Sequence, residues 1–279
     1  MIENRLAVEA AVAAALKEDL GDAGDVTTAA CIPEASRSKA VIAARAAGVI
    51  AGVDLALAAF RLVDPAIRCD VGKGDSAAVA KGDVVMRIEG RSRGILTAER
   101  VALNFLCHLS GVATATRALV DAVKGTGTAI VCTRKTTPGL RAFEKSAVLA
   151  GGGRNHRFGL YDAILIKDNH IVAAGGIAAA IRTAKAKAGH LVRIEIEVDG
   201  LAGLDAALAA GAEAVLLDNF SIDDLRAAVQ RTAKRAVLEA SGNVSLKTVK
   251  AIAETGVDVI SSGSITHSAP ALDLGLDFA

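Results

Sequence analysis

From residue 129 onward the chain repeats one local pattern, a short apolar run followed by an Ala-rich helical stretch. The runs are AIVCT (129–133), AILIK (163–167), RIEIEV (193–198), AVLLD (214–218), AVLEA (236–240) and DVISS (258–262). Between them lie GGIAAAIRTAKAKAG, LAGLDAALAAG, SIDDLRAAVQRTAK and SLKTVKAIAETG. The later runs recur about every 20 residues, the spacing of βα units. That rhythm predicts an α/β fold with a parallel barrel. Six runs rather than eight predict an incomplete or irregular barrel. An open doubly wound sheet is the alternative.

The first part of the chain reads differently. An opening helix ends near Leu20-Gly21, and an acidic turn, Gly21 to Asp25, follows it. From 38 to 95, KAVIAARAAGVIAG, CDVGKGD and KGDVVMRIEG alternate strand patterns with Gly-Asp turns, and VDLALAAFRLVD reads as a short helix. This predicts an α+β domain of antiparallel strands. A helix is expected over 97–124, with Thr97 as N-cap and Glu99 in its first turn. Its segment VALNFLCHLSGVA is apolar nearly all the way round, as in a helix buried on most sides.

Composition narrows the function. The 279 residues carry a net charge of +1, which gives no general polyanion-binding signal and makes nucleic acid an unexpected partner. No apolar run reaches a membrane span, and the N-terminus lacks the basic and apolar regions of a signal peptide. Cys31, Cys69, Cys107 and Cys132 form no CxxC and have no His at zinc spacing. They read as small core residues in a reducing cytoplasm. GKGDSA (72–77) matches GxGxxA, but a turn and a strand follow it rather than a helix, so dinucleotide binding is not expected.

Polar residues appear where each barrel run ends. They are Arg134-Lys135, Lys167-Asp168-Asn169, Asp218-Asn219, Ser241-Gly242-Asn243 and Ser261-Ser262-Gly263, while Glu195 and Glu197 share one face of their strand. In a parallel barrel these ends meet on the rim that holds the active site. Charge concentrates there. Between Arg134 and His170 stand seven Lys/Arg and three Asp/Glu, a local net of +4 against −3 for the rest of the chain. The cations are Arg134, Lys135, Arg141, Lys145, Arg154, Arg157 and Lys167, with His156 and His170 nearby. A solvated basic face is the plain alternative. Because Arg134 and Lys167 end or follow apolar runs, an anion site for carboxylate or phosphate is the reading adopted. GGGRNHR (151–157) places cations directly behind a glycine-rich turn, which serves equally as a helix C-cap. Glu197 and Asp218 are acids of the type that share Mg²⁺ with substrate phosphates, or that pair with a neighbouring Lys or Arg. Ser241-Gly242 and Ser262-Gly263, near the starts of the last helices, suit phosphate.

Read together, TRKTTPGLR (133–141), NHRFGLYDAILIKDNH (155–170), EVD (197–199), LLDN (216–219), EASGN (239–243) and SSGSITH (261–267) resemble the quinolinate phosphoribosyltransferase family. EDLGDAGDVTT (18–28) and LDLGLDF near the C-terminus match as well, so the resemblance covers almost the whole chain. It implies an N-terminal α/β sandwich domain over 1–112, with the tail 266–279 packing on it, and a C-terminal incomplete α/β barrel over 113–265. The implied reaction joins quinolinate to phosphoribosyl pyrophosphate, with Mg²⁺, to give nicotinate mononucleotide, pyrophosphate and CO₂. The implied assembly is a cytoplasmic head-to-tail homodimer, with any higher oligomer left open. By the same resemblance, Arg134, His156, Arg157 and Lys167 hold the quinolinate carboxylates, joined by Arg100 of the partner subunit. Lys135 and Lys167 contact phosphoribosyl pyrophosphate. Glu197 and Asp218 position ribose hydroxyls and Mg²⁺. Ser241, Gly242, Asn243, Ser262 and Gly263 hold phosphate, with His267 close by.

Other readings stay in view. One is a related transferase of altered substrate, as in family members associated with molybdenum transport, which the intact PGLR and NHR disfavour. A Schiff-base aldolase using Lys167 is another. The third is a non-catalytic anion-binding protein.

Overall fold

In the computed structural model, residues 4–278 are described; Met1–Glu3 of the expected opening helix and Ala279 of the expected tail lie outside them. The chain divides into two compact units. The first comprises residues up to Ala115, Ala142–Gly152 and the segment from Ser268; the second comprises Thr116–Arg141 and Gly153–His267.

The first unit opens with α1 (Arg5–Leu20), which buries Val8, Val12 and Leu16, one residue per turn on one face. Asn4 caps it by accepting the Ala7 N–H, as Asp25 caps α2 (Val26–Cys31) through the Thr28 N–H. Then come β1 (Arg37–Ala44), β2 (Gly48–Val49), α3 (Val53–Val63), β3 (Arg68–Val71), β4 (Ala78–Val79) and β5 (Val84–Arg91). An antiparallel sheet runs in the order β12-β1-β5-β3, where β12 is Leu274–Phe278; β2 and β4 form a separate antiparallel pair. Along β1, Ala40, Ile42 and Ala44 are buried in alternation with more exposed residues, the mark of a one-sided sheet.

The long helix α4 spans Ser92–Ala122, five residues earlier than the sequence predicts. Thr97 is therefore no N-cap: its hydroxyl lies inside the helix and donates to Asp25 at 3.0 Å. The expected all-round burial of 101–113 holds apart from exposed Asn104 and half-buried Cys107 and His108. Polar groups on α4 also bond main-chain N–H groups at the end of β2 and just after it. Ser110 accepts the Ala51 N–H at 3.0 Å and Thr114 accepts the Val49 N–H at 2.9 Å.

The helix α5 (Arg141–Ala150) groups with the first unit, although its place in the chain predicts the barrel. Its fully buried Glu144 lies 2.9 Å from His108 Nε2 on α4, and Phe143, Ala147 and Val148 are buried with it. Sequence order assigns a segment to its neighbours in the chain, whereas these contacts assign α5 to α4. Of the four cysteines, only Cys132 is fully buried and Cys31 is exposed, so the expectation of four core thiols is corrected.

The second unit holds six parallel strands: β6 (Ala129–Val131), β7 (Ile164–Ile166), β8 (Ile194–Val198), β9 (Ala214–Asp218), β10 (Val237–Ser241) and β11 (Val259–Ser261). Helices α6 (Asp168–Ala173), α7 (Ile177–Lys187), α8 (Leu201–Ala209), α9 (Ile222–Thr232), α10 (Val249–Ala253) and α11 (Ser264–His267) intervene. Strand order is β6-β11-β10-β9-β8-β7, which is cyclic in sequence with the β6–β7 ladder missing. This is the incomplete barrel. The gap is partly filled by backbone at Arg154, which bridges Val131; its N–H donates to Ile130 O at 2.8 Å and its carbonyl accepts the Cys132 N–H at 3.2 Å.

Candidate active site

The carboxyl ends of the six strands surround a cavity of about 750 Å³. Every site residue predicted from the sequence lines it except Arg100. Arg100 is exposed on α4, within the first unit.

The incomplete ring explains where the cations stand. Residues 132–140 after β6 and 151–163 before β7 flank the missing ladder, and they carry Arg134, Lys135, His156 and Arg157. The first of these loops is braced along its length. Thr133 Oγ accepts the Lys135 N–H at 3.0 Å, Thr266 on α11 donates to Lys135 O at 2.7 Å, and Arg141 Nε donates to Thr136 Oγ at 2.9 Å. Arg141 is thus a brace. Lys145 is buried on α5 within the first unit, and Arg154 is exposed beside β6. Only Arg134, Lys135, Arg157 and Lys167 of the seven cations face the cavity. The glycine-rich turn acts as the C-cap of α5: Gly151 and Gly152 donate to Ala147 O and Leu149 O, and Gly152 has φ +89°.

Arg134 and Arg157 are the unusual pair. Both Nε atoms are buried without a hydrogen-bond partner. Burial, and after it the charge of Arg134, lowers the pKa of Arg157 below its ordinary value. Two part-buried guanidinium groups with unsatisfied Nε atoms on one cavity wall favour an anion between them.

On the opposite side the acids are placed by strand register. Lys167, directly after β7, is ion-paired with Glu197 of β8, so the simple alternative of a Lys–Glu bridge holds for Glu197. Asp218 of β9, Ser241 of β10 and Ser261 of β11 are register partners across three adjacent strands. Asp218 Oδ2 accepts from the Asn219 side chain at 2.9 Å. Asn219 and Asn243 both adopt left-handed backbone, at φ +55° and +52°, and Gly242 sits at φ +97°. A Cβ on Gly242 would overlap Asn219 Oδ1. Ser262 and Gly263 lead directly into α11, as expected. Ser241-Gly242 does not open a helix, because α10 begins only at Val249. A phosphate there would be met by loop backbone and hydroxyls.

Glu239 lines the cavity without a role assigned from the sequence, and Glu195 meets His156 from behind the wall. Glu239, nearly fully buried, lies 3.7 Å from His156 Nε2, and Glu195 lies 3.0 Å from the same nitrogen. Burial, and then the charge of Glu195, raises the Glu239 carboxyl to about 7, with His156 opposing. Potential ligand atoms of these three residues lie within 4.8 Å of one another. The Arg157 N–H, however, donates to His156 Nδ1 at 2.7 Å, so the neutral ring carries its proton on Nε2 and offers no lone pair to a metal there. Glu197 and Asp218, two hard carboxylates on the cavity wall, are the better donor set for Mg²⁺ shared with a polyphosphate. The signal for Glu239 was present but local. Inside AVLEAS it shares a strand face with Ser241, an assigned site residue. Thr133, Asn219, Ser261 and Ser264 also line the cavity without having been assigned.

A basic and hydroxyl-rich cavity, bordered by two carboxylates at the carboxyl ends of an incomplete α/β barrel, defines an enzyme that handles small polyanions. The comparisons with known proteins agree. Residues 25–110 match the quinolinate phosphoribosyl transferase N-terminal domain, and residues 112–277 match the C-terminal domain. The chain is 46% identical over 271 residues to the nicotinate-nucleotide pyrophosphorylase [carboxylating] of Mycobacterium leprae, covering 94% of each protein. It is 42% identical over 280 residues to quinolinate phosphoribosyltransferase [decarboxylating] 1 of Nicotiana glauca, covering 94% of this chain and 79% of that one. The nicotinate-nucleotide pyrophosphorylase structure from Francisella tularensis superposes with a TM-score of 0.95 at 40% identity, covering 99% and 97%. The chain belongs to the quinolinate phosphoribosyltransferase family, and it is an enzyme of the glycosyltransferase kind.

Proposed function

We propose that this enzyme transfers the phosphoribosyl group of phosphoribosyl pyrophosphate to quinolinate, in the synthesis of NAD. The products are nicotinate mononucleotide, pyrophosphate and CO₂. The observation that carries the substrate choice is the pair Arg134–Arg157, whose buried Nε atoms lack hydrogen-bond partners. A planar dicarboxylate would satisfy both forks at once.

Arg134, His156, Arg157 and Lys167 form the wall assigned to the quinolinate carboxylates, with Arg100 of the partner subunit in a homodimer. Lys135 and Lys167 stand for phosphoribosyl pyrophosphate. Ser241, Gly242, Asn243, Ser262 and Gly263, with His267 near, hold phosphate. Glu197 and Asp218 take the ribose hydroxyls and Mg²⁺, directly or through water. Bound Mg²⁺ would neutralise charge on the pyrophosphate. The pyridine nitrogen attacks the anomeric carbon as its bond to pyrophosphate oxygen breaks, and Lys135 offers a fixed positive charge to that leaving group. The ring nitrogen is then cationic. The bond from C2 to its carboxylate breaks, the electron pair stays on C2 beside that charge, and a proton replaces CO₂. The arginines contribute orientation more than acid–base chemistry.

Among the described residues no helix is long and apolar enough to cross a membrane. A cytoplasmic site of action is part of this proposal. The test is to incubate the protein with quinolinate, phosphoribosyl pyrophosphate and Mg²⁺ and follow nicotinate mononucleotide and CO₂ together. Equal formation of both supports the reading. Turnover only with another pyridine or pyrimidine acid overturns the substrate and keeps the phosphoribosyl chemistry.

A further inference from the structure

Asn219 follows Asp218 at the end of β9 and lines the cavity without a role so far. Its main-chain N–H donates to Ser241 O at 2.9 Å, which carries the β9–β10 ladder one residue past the strand. There the backbone turns left-handed, at φ +55°, a conformation that Asn tolerates better than most residues. The turn brings its amide between the acid and the loop assigned to phosphate. Nδ2 donates to Asp218 Oδ2 at 2.9 Å. Oδ1 accepts from Asn243 Nδ2 at 3.4 Å and fills the space that a side chain on Gly242 would need. Turned over, the amide would set its oxygen against the Asp218 carboxyl, so its neighbours fix its orientation.

We infer that Asn219 is a positioning residue for the transfer, whose side-chain amide holds the Asp218 carboxyl group and the Gly242-Asn243 loop in one fixed arrangement. This deepens the proposed function and rests on it for the identity of the ligands, phosphoribosyl pyrophosphate and Mg²⁺. The loop needs such a link. Asp218 and Ser241 are register partners, so their strands fix them. Gly242 and Asn243 lie past the strand in left-handed backbone, and the next helix begins only at Val249. The far side of the loop is tied by Thr248 Oγ, which donates to Asn243 O at 2.8 Å; Asn219 ties the near side. One position must therefore supply a donor for the acid, an acceptor for the loop and a left-handed backbone. Asparagine supplies all three. Aspartate offers no N–H, glycine offers no amide, and alanine offers neither an amide nor an easy left-handed turn.

The experiment pairs a crystal structure with kinetics on Asn219→Gly, which loses the amide yet fits the left-handed backbone. The ligand-free structure of the variant should show the Asp218 carboxyl turned and the loop at Gly242-Asn243 displaced. The KM for phosphoribosyl pyrophosphate and the Mg²⁺ concentration for half-maximal rate should both rise about five- to tenfold, the worth of one hydrogen bond. Quinolinate binding, read by calorimetry without the second substrate, should change by less than about twofold, since Arg134 and Arg157 stand on the loops that flank the missing ladder. Asn219→Asp keeps the shape and lacks the N–H, so it should share both kinetic defects; it takes the place of the glycine variant if that one does not fold. Wild-type values in Asn219→Gly would overturn the inference, because the backbone alone would then suffice. A raised KM with Asp218 and the loop unmoved would overturn it in favour of direct contact with the substrate. An equal loss of quinolinate affinity would overturn it too, as a general collapse of the cavity. Calorimetry of the wild-type protein with phosphoribosyl pyrophosphate and Mg²⁺ separates the two claims. No binding sinks the ligand reading, while the ligand-free structure of the variant still decides whether Asn219 places the loop.

Discussion

Lys167 and Glu197 are ion-paired across the adjacent parallel strands β7 and β8, so one contact joins a cation and an acid of the same cavity wall. The pair holds the lysine at the mouth and gives the carboxylate a partner inside the cavity. Lys167→Ala should lower kcat/KM by about 10²–10³, the usual loss for one fixed positive group or donor at a transition state. Glu197→Gln should weaken the enzyme on its own. The double variant should lose less than the sum, with a coupling of about 0.5–3 kcal/mol in a double-mutant cycle. Simple additivity would mean that the two act independently.

Arg134→Ala should cost about 1.5–3 kcal/mol in quinolinate binding, the worth of a hydrogen bond to a charged group. Arg134→Lys should not restore it, because an ammonium cannot reproduce the planar fork beside Arg157. Steady-state KM for quinolinate, at saturating phosphoribosyl pyrophosphate, is the measurement. Full rescue by lysine would show that charge alone is read at this position.

Gly242→Ala should destabilise the protein by about 1–3 kcal/mol, since φ is +97° and the new methyl group would overlap the Asn219 amide. The urea midpoint should fall with its slope unchanged. Activity should fall too, as Asn219 is hydrogen-bonded to Asp218.

Glu239 contributes a defined pH dependence. Its folded pKa, about 7, lies above its ordinary value of 4.5, so the folded state binds more protons between those limits. The contribution of this group to stability is present below pH 4.5 and is lost as pH rises towards 7, by about 3 kcal/mol at most. Glu239→Gln should flatten that part of the stability curve. Chemical denaturation of both proteins at several pH values, from 5 to 8, is the check.

Chelation should abolish turnover, and added Mg²⁺ should restore it, if Glu197 and Asp218 hold the ion together with substrate oxygens. Asp218→Asn should then raise the Mg²⁺ concentration needed for half-maximal rate. An unchanged requirement would place the ion on the substrate alone.

Much of this was legible in the chain because strand and helix periodicities are local. The six runs that end at Thr133, Lys167, Val198, Asp218, Ala240 and Ser262 became six parallel strands within a residue or two of those ends. Most of their terminal polar residues, though not Asp168, Asn169 or Glu195, lined one cavity because side chains past a parallel strand share one rim. Thr97 misled because its partner, Asp25, lies 72 residues away. Lys145 entered the count of mouth cations on sequence proximity, yet it is buried with α5 in the first unit. Glu239 closes an apolar run and opens EASGN, but its contact with His156 lies 83 residues away in the chain, so its place had no local sign.

The sequence by itself determined the βα units, the antiparallel first unit and the identities of most of the polar cavity residues, because these follow from short-range pattern and motif. Only the tertiary structure decided that β6 and β7 leave the ring open, that Arg134 and Arg157 stand together with buried, unsatisfied Nε atoms, and that Glu195 and Glu239 close on His156. Those features depend on distance between residues far apart in the chain and on exclusion of water. Neither quantity has a local signature.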